Sequence, residues 1–270
     1  MKRHMKNIFR NILIIISILS FSSCDILDDD GSSISPLDSK VNFKVVESYD
    51  NYKTVSTPQI FIELQTEKIY GCYNYSIRTN YSVQDKSIII DIIGIYKPGV
   101  CLTALGPANG RIKLGQLSGI FEIKIKNKNF NDKYNLLISD SLIILDGKET
   151  SNTKPLINFL YRYPKNSFAY LCGTTISDTS ICKNFIDTFK SVISLTEFYF
   201  SDIAEIPYPT SSQGHQYDAN ARYFYYESED EFNKIQSVMK SYKQNHLLDD
   251  SGVGLSIINW LNKNIRSWLL

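Results

Sequence analysis

The stretch Ser211-Ser212-Gln213-Gly214-His215-Gln216-Tyr217-Asp218 brings a hydroxyl, an imidazole and a carboxylate within eight residues, the groups a nucleophilic hydrolase uses. Such a triad is a matter of spatial roles, and the strained GxSxG elbow that would expose a serine nucleophile is missing. His246 closes a helical pattern, where free carbonyls favour a cation. Asp249-Asp250 and Glu229-Asp230-Glu231 read as solvated or capping groups before they read as paired glycosidase carboxylates. Between Ala104 and Gly110 the chain has two glycines, but Pro107 removes an amide that a phosphate cradle would need. Without CxxC or HxxxH spacing, no metal site is expected, nor any cofactor. The residues therefore point to recognition rather than turnover, and no enzymatic activity is expected.

Tyrosine is the side chain best suited to recognition. The chain holds 18, with Tyr70, Tyr73, Tyr75 and Tyr81 in one stretch and Tyr217, Tyr223, Tyr225 and Tyr226 in another. Such rings give stiff amphipathic contact area, although half-buried strands favour them too. The 19-residue connection 202–220 is longer than a compact domain needs. It sets Pro207-Tyr208-Pro209, able to present a ring, beside adaptable polar groups. Tyr208, Gln213, His215, Tyr217 and Asp218 are the expected contacts to a ligand or partner.

The amino terminus carries the most specific signal. Basic residues up to Arg10 precede the apolar run 12–21, which at ten residues is half a bilayer span. Phe21-Ser22-Ser23-Cys24 follows, small residues before a cysteine. This resembles the lipobox of bacterial lipoproteins, with Phe21 in place of the usual Leu. The resemblance implies that residues 1–23 are removed and that Cys24 is acylated on its thiol and then on its new amine, by palmitate or similar chains. Two or three chains, at about 0.8 kcal/mol per buried methylene, make a stable anchor. Asp28-Asp29-Asp30 close behind is similar to the surface-export signals of Bacteroidota lipoproteins, and 36 Ile and 21 Asn against 6 Ala fit an AT-rich genome. The expected place is the outer membrane of the cell envelope, with the periplasmic or surface face left open. Residues 24–40, with five Asp, four Ser, a Gly and a Pro and no periodic apolar pattern, read as a flexible tether.

Removing the signal changes the charge. Lys plus Arg is 29 and Asp plus Glu 28, but Lys2, Arg3, Lys6 and Arg10 leave with the signal, so 25 cations face 28 acids in the mature chain. A nucleic-acid partner is excluded on that balance. A membrane partner through Cys24, and an envelope protein or glycan, remain.

From Val41 to Asp146 the apolar period is two. Phe121, Ile123 and Ile125 alternate with charges, as do Tyr134, Leu136 and Ile138 with polar groups or a lone Leu. Seven or eight short strands in 41–146 predict a β-sandwich, with an immunoglobulin-like arrangement the best match. The segment Leu117 to Ile123 resembles the late strands of such domains in exported proteins. A hairpin turning at Gln84-Asp85-Lys86 would bring Cys72 and Cys101 together at its open end. Their disulfide would close 28 intervening residues and contribute about 3–4 kcal/mol. Cys172 and Cys182 form the other candidate pair; buried free thiols are the rival reading.

A polar stretch, 147–155, reads as a domain boundary. Beyond it, over 155–270, the period switches to that of a helix twice. Ile181, Phe185, Phe189 and Val192 share one face after the possible caps Asp178, Thr179 and Ser180. Ser228 and Glu231 form a capping box ahead of Phe232, Ile235, Met239 and Tyr242. Strands are expected at 167–172, 197–201, 221–226, 254–260 and 264–269. The alternation resembles a ferredoxin-like α+β domain. The whole reads as a mostly β plus α+β envelope lipoprotein, a noncatalytic binding or assembly module. A glycan-binding accessory of an outer-membrane nutrient-uptake system is the alternative, and an envelope hydrolase the third reading.

Overall fold

The computed structural model describes residues 31–175, 179–212, 216–247 and 252–270. The export signal, Cys24, the tether up to Asp30, the cap candidate Asp178, Gln213, His215 and Asp249-Asp250 lie outside the described residues. The fold is mostly β: among the described residues 50% are in strands and 15% in helices, in two sheets.

Eleven strands make the first sheet: β1 (Ser33–Ser35), β2 (Val41–Ser48), β3 (Gln59–Tyr70), β4 (Ser76–Gln84), β5 (Ser87–Lys97), β6 (Gly106–Gly115), β7 (Gly119–Asn127), β8 (Phe130–Ile138), β9 (Leu142–Glu149), β10 (Thr153–Pro155) and β11 (Phe159–Tyr161). The alternation that predicts them is the alternation that buries them. Phe43, Ile62, Ile90, Ile123, Leu136 and Leu145 all turn into a single core. The hydrogen-bonded order runs β10-β2-β3-β6-β4-β5-β7-β8-β9-β11 without a break, with β1 added to β5.

The sheet joins its own ends. β10 runs parallel to β2 and β11 antiparallel to β9, so the single segment 153–161 bridges the two margins. Between them the Leu156 amide donates to the Phe43 carbonyl at 2.7 Å, and the Leu145 amide donates to the Asn158 carbonyl at 2.8 Å. Stretches that read from sequence as boundary and as the start of the second domain are thus ladder partners in the first sheet. Likewise Ser33–Ser35, within the expected tether, pair with β5.

The hairpin keeps the expected register from Gln84–Ser87 to Thr79–Ile92 and then slips by one residue at Gly94. At its open end Cys72 and Cys101 are bonded, with Cα atoms 5.3 Å apart.

The second sheet comprises β12 (Ser167–Thr174), β13 (Leu195–Phe198), β14 (Tyr217–Asp218), β15 (Arg222–Tyr226), β16 (Val253–Asn259) and β17 (Asn264–Arg266), with helices α1 (Ser180–Val192) and α2 (Glu229–His246). Its order is β13-β15-β12-β16-β17, antiparallel throughout, with β14 on the end of β12. Helix α1 is N-capped at Thr179 and buries Cys182, Phe185, Ile186 and Phe189. Ser228 caps α2, its hydroxyl accepting from the Glu231 amide, while the Glu231 carboxylate accepts from the Glu227 amide. Both helices lie on the face of the sheet that carries Phe168, Tyr170, Phe224 and Leu255. Cys172 of β12 is bonded to Cys182 of α1.

Two strand expectations need correction. The strand expected at 197–201 is β13, which starts at Leu195 and ends at Phe198. Phe200 instead turns its ring onto Tyr223 and Tyr161, at 4.9 Å each, and is lost to the ladder. The strand expected to run to Leu269 ends at Arg266, followed by a single 3-10 turn.

Candidate functional site

The second face of the sheet carries Ala169, Tyr208 and Tyr223, and against it packs the end of the first sheet. A file of rings crosses the junction. Tyr49 at the end of β2 lies 5.3 Å from Tyr163, which lies 4.9 Å from Tyr208, which stacks on Tyr223 at 5.9 Å. Burial, reinforced by neighbouring phenols, pushes the Tyr49 hydroxyl far above its ordinary value, and burial does the same to Tyr163 and Tyr208. These hydroxyls therefore act as neutral donors. Tyr49 donates to the Trp260 carbonyl at 2.9 Å, and Tyr208 to the Ser167 carbonyl at 3.0 Å.

A buried ion pair fixes the same junction. Glu47 continues the inward parity of Val41, Phe43 and Val45 but is a carboxylate, 6% exposed. One oxygen accepts from Arg162 Nε and Nη2, at 2.9 and 2.6 Å, and the other from the Tyr163 amide at 2.8 Å. Arg162 Nη1 reaches the Ser139 carbonyl at 2.8 Å, tying in the turn between β8 and β9. Both carboxylate oxygens are occupied by positioning bonds.

Beside this pair opens a cleft of about 830 Å³. Its lining includes Glu47, Arg162, Tyr163 and Trp260. Its rim carries Gln116 and Ser118 from the β6–β7 turn, Asp140 from the β8–β9 turn and Lys165. Gln116, Ser118, Asp140 and Lys165 are exposed. The Trp260 N–H is held by the Tyr226 hydroxyl at 3.0 Å, which fixes the indole plane. A lining that joins two aromatic residues to an amide, a hydroxyl, a carboxylate and an ammonium can orient a polar ligand by hydrogen bonds beside apolar surface.

Of the contact residues expected from the long connection, the described ones, Tyr208, Tyr217 and Asp218, are not gathered into one surface. Tyr208 does not present its ring: it is 3% exposed, because Ser167 offers its hydroxyl both a carbonyl and a side-chain oxygen. Glu205, ahead of it, is bonded in both directions to β11. Tyr217 and Asp218 form β14, paired with Thr174 and Gly173 at the far end of β12 from Ser167. Seven residues along a strand separate those ends, about 23 Å. Ser212 Oγ donates directly to the Asp218 carboxylate.

Sequence reasoning missed Glu47, Arg162, Gln116 and Trp260. The one signal that could have found them was Glu47, an acid at an inward strand position. Comparison of the chain with known protein families, curated proteins and solved structures gives no match.

Proposed function

We propose that this chain is a lipid-anchored envelope lipoprotein of Bacteroidota type that works as a noncatalytic binding or assembly module through the junction cleft. The observation that carries this reading is the state of the cleft's buried groups. Glu47, Arg162 and the Trp260 N–H are already bonded within the protein, so they stiffen a recognition surface. The same reading takes the first unit as immunoglobulin-like and the second as ferredoxin-like. For the second, the succession β12-α1-β13-β15-α2-β16 and the sheet order β13-β15-β12-β16 speak in favour.

Within that reading a glycan is the favoured ligand class, because Tyr163 and Trp260 share the cleft lining with Gln116, Ser118, Asp140 and Lys165. The hydrolase alternative draws no support from Ser212, whose hydroxyl faces Asp218. Probing a glycan array with the full mature protein and with Gln116→Ala/Lys165→Ala tests the site, since both residues are exposed and neither holds the fold. Retention on a defined glycan class, lost in the double variant at unchanged melting temperature, is the expected result. Equal retention by both proteins, or hydrolysis of the probe, would contradict it.

A further inference from the structure

The first sheet has a second special end. Opposite the junction, the segments 71–75 and 98–105 meet in a tip carrying Tyr73 (58% exposed), Val100 (75%), Leu102 (54%) and Leu105 (79%), with Ile69 (55%) beside them. Four large apolar side chains and a tyrosine on one tip, left in water, are uncommon for a protein without a partner there. The tip is also stiff. The Cys72–Cys101 disulfide spans it, and Asn74 clamps both arms: its side-chain amide donates to the Val100 carbonyl at 2.7 Å and accepts from the Leu102 amide at 3.1 Å. The Tyr73 amide donates to the Leu102 carbonyl at 3.1 Å. Segments 69–76 and 96–106 contain no Asp or Glu, and their one cation is Lys97.

The chain enters the fold at this same tip. β1 pairs Ser33 with Lys97, and tracing back from Ser33 leads past Lys97 to Gly31, which lies against Gly99. From Cys24 to Gly31 is seven residues, at most about 25 Å of chain.

We propose that this tip docks in the headgroup layer of the bilayer that holds the acyl chains on Cys24, with Val100, Leu102 and Leu105 below it and Tyr73 at its level. The inference rests on the lipoprotein reading above. A short tether brings the bilayer within reach of the tip, the apolar side chains gain burial, and the two tip segments carry no carboxylate of their own, the neighbouring Asp38 being paired with Lys68 and bonded to the Tyr70 hydroxyl. The 12-residue β3 runs from the tip to the junction, so the cleft would stand at most about 40 Å from the membrane.

The full chain, extracted from membranes and reconstituted in phosphatidylethanolamine and phosphatidylglycerol vesicles with brominated acyl chains, tests this. Leu105→Trp and, separately, Val100→Trp should add emission that is blue-shifted and quenched by bromine, whereas Val192→Trp, on the second unit, should add emission that is neither. The mass of the amino-terminal peptide is read from the same sample. Quenching with acyl mass is the expected result. Acyl mass with both tip tryptophans unquenched overturns the docking and leaves the anchor standing. Quenching without acyl mass upholds the tip and overturns the anchor, and neither signal overturns both.

Discussion

Asp132 holds the closure of the first sheet. The carboxylate, 2% exposed, accepts from the amides of Ser151, Asn152 and Thr153 and from the hydroxyls of Ser151 and Thr153, at 2.6 to 3.0 Å. Thr153 is the first residue of β10, so these bonds place the bridging segment against β2. Burial alone would raise the Asp132 carboxyl, but the bonds from Thr153, Asn152 and Ser151 outweigh it and hold it below its ordinary value. A lowered folded value adds stability above the unfolded pKa, about 3.9, and that stability is lost as pH falls through the folded one. Asp132→Asn keeps one acceptor and turns an NH2 toward the donors. It should cost about 2–4 kcal/mol in urea unfolding at neutral pH. The difference from wild type should shrink as pH falls below about 4, where the unfolded chain's carboxyl takes up a proton, and be gone once pH passes the lowered native value. A neutral-pH loss under about 0.5 kcal/mol, the range of ordinary surface changes, would show that the loop holds without the carboxylate.

Among the elements, β1 depends on a glycine. A Cβ on Gly94 would lie 2.3 Å from the Ser35 carbonyl oxygen, so Gly94→Ala must push β1 off β5. Limited proteolysis should then cut within 31–36 much faster than in wild type while the sheet stays resistant; an unchanged cutting rate would mean that β1 holds by other contacts. That strand also marks where sequence reading stops. Long strands and both helices were legible because periodicity and the Ser228 box are local, and the hairpin register led directly to the Cys72–Cys101 bond. Three-residue strands such as β1, β10 and β11 carry too few side chains to show a period, and Pro155 even argues against a ladder. Tyr208 misled for a related reason: local composition says that Pro-Tyr-Pro is stiff, but not that the Ser167 carbonyl is waiting for the hydroxyl. The cleft brings together Glu47, Gln116 and Trp260, which lie 69 and 144 residues apart along the chain, so no contiguous motif announces it.

At the scale of the whole molecule, the two sheets work as one stiff body with different ends. The junction is locked by the Glu47–Arg162 pair, by the tyrosine file and by the Ser56 amide on the Leu261 carbonyl. The opposite tip receives the chain from Cys24. Among the described residues no helix is long and apolar enough to cross a membrane; the proposed attachment is by acyl chains on Cys24. On the proposals made above, the division of labour would be a membrane end, the first sheet as spacer and a recognition cleft held away from the bilayer. Everything in it depends on where the mature chain begins. The intact mass of the protein extracted in detergent from the membrane fraction, after alkylation without reduction, addresses that point most directly. The account predicts a chain starting at Cys24 that bears two or three acyl chains and no alkyl label, its other four cysteines being paired. A chain that keeps residues 1–23, or one that begins elsewhere with an alkylated Cys24, would contradict it.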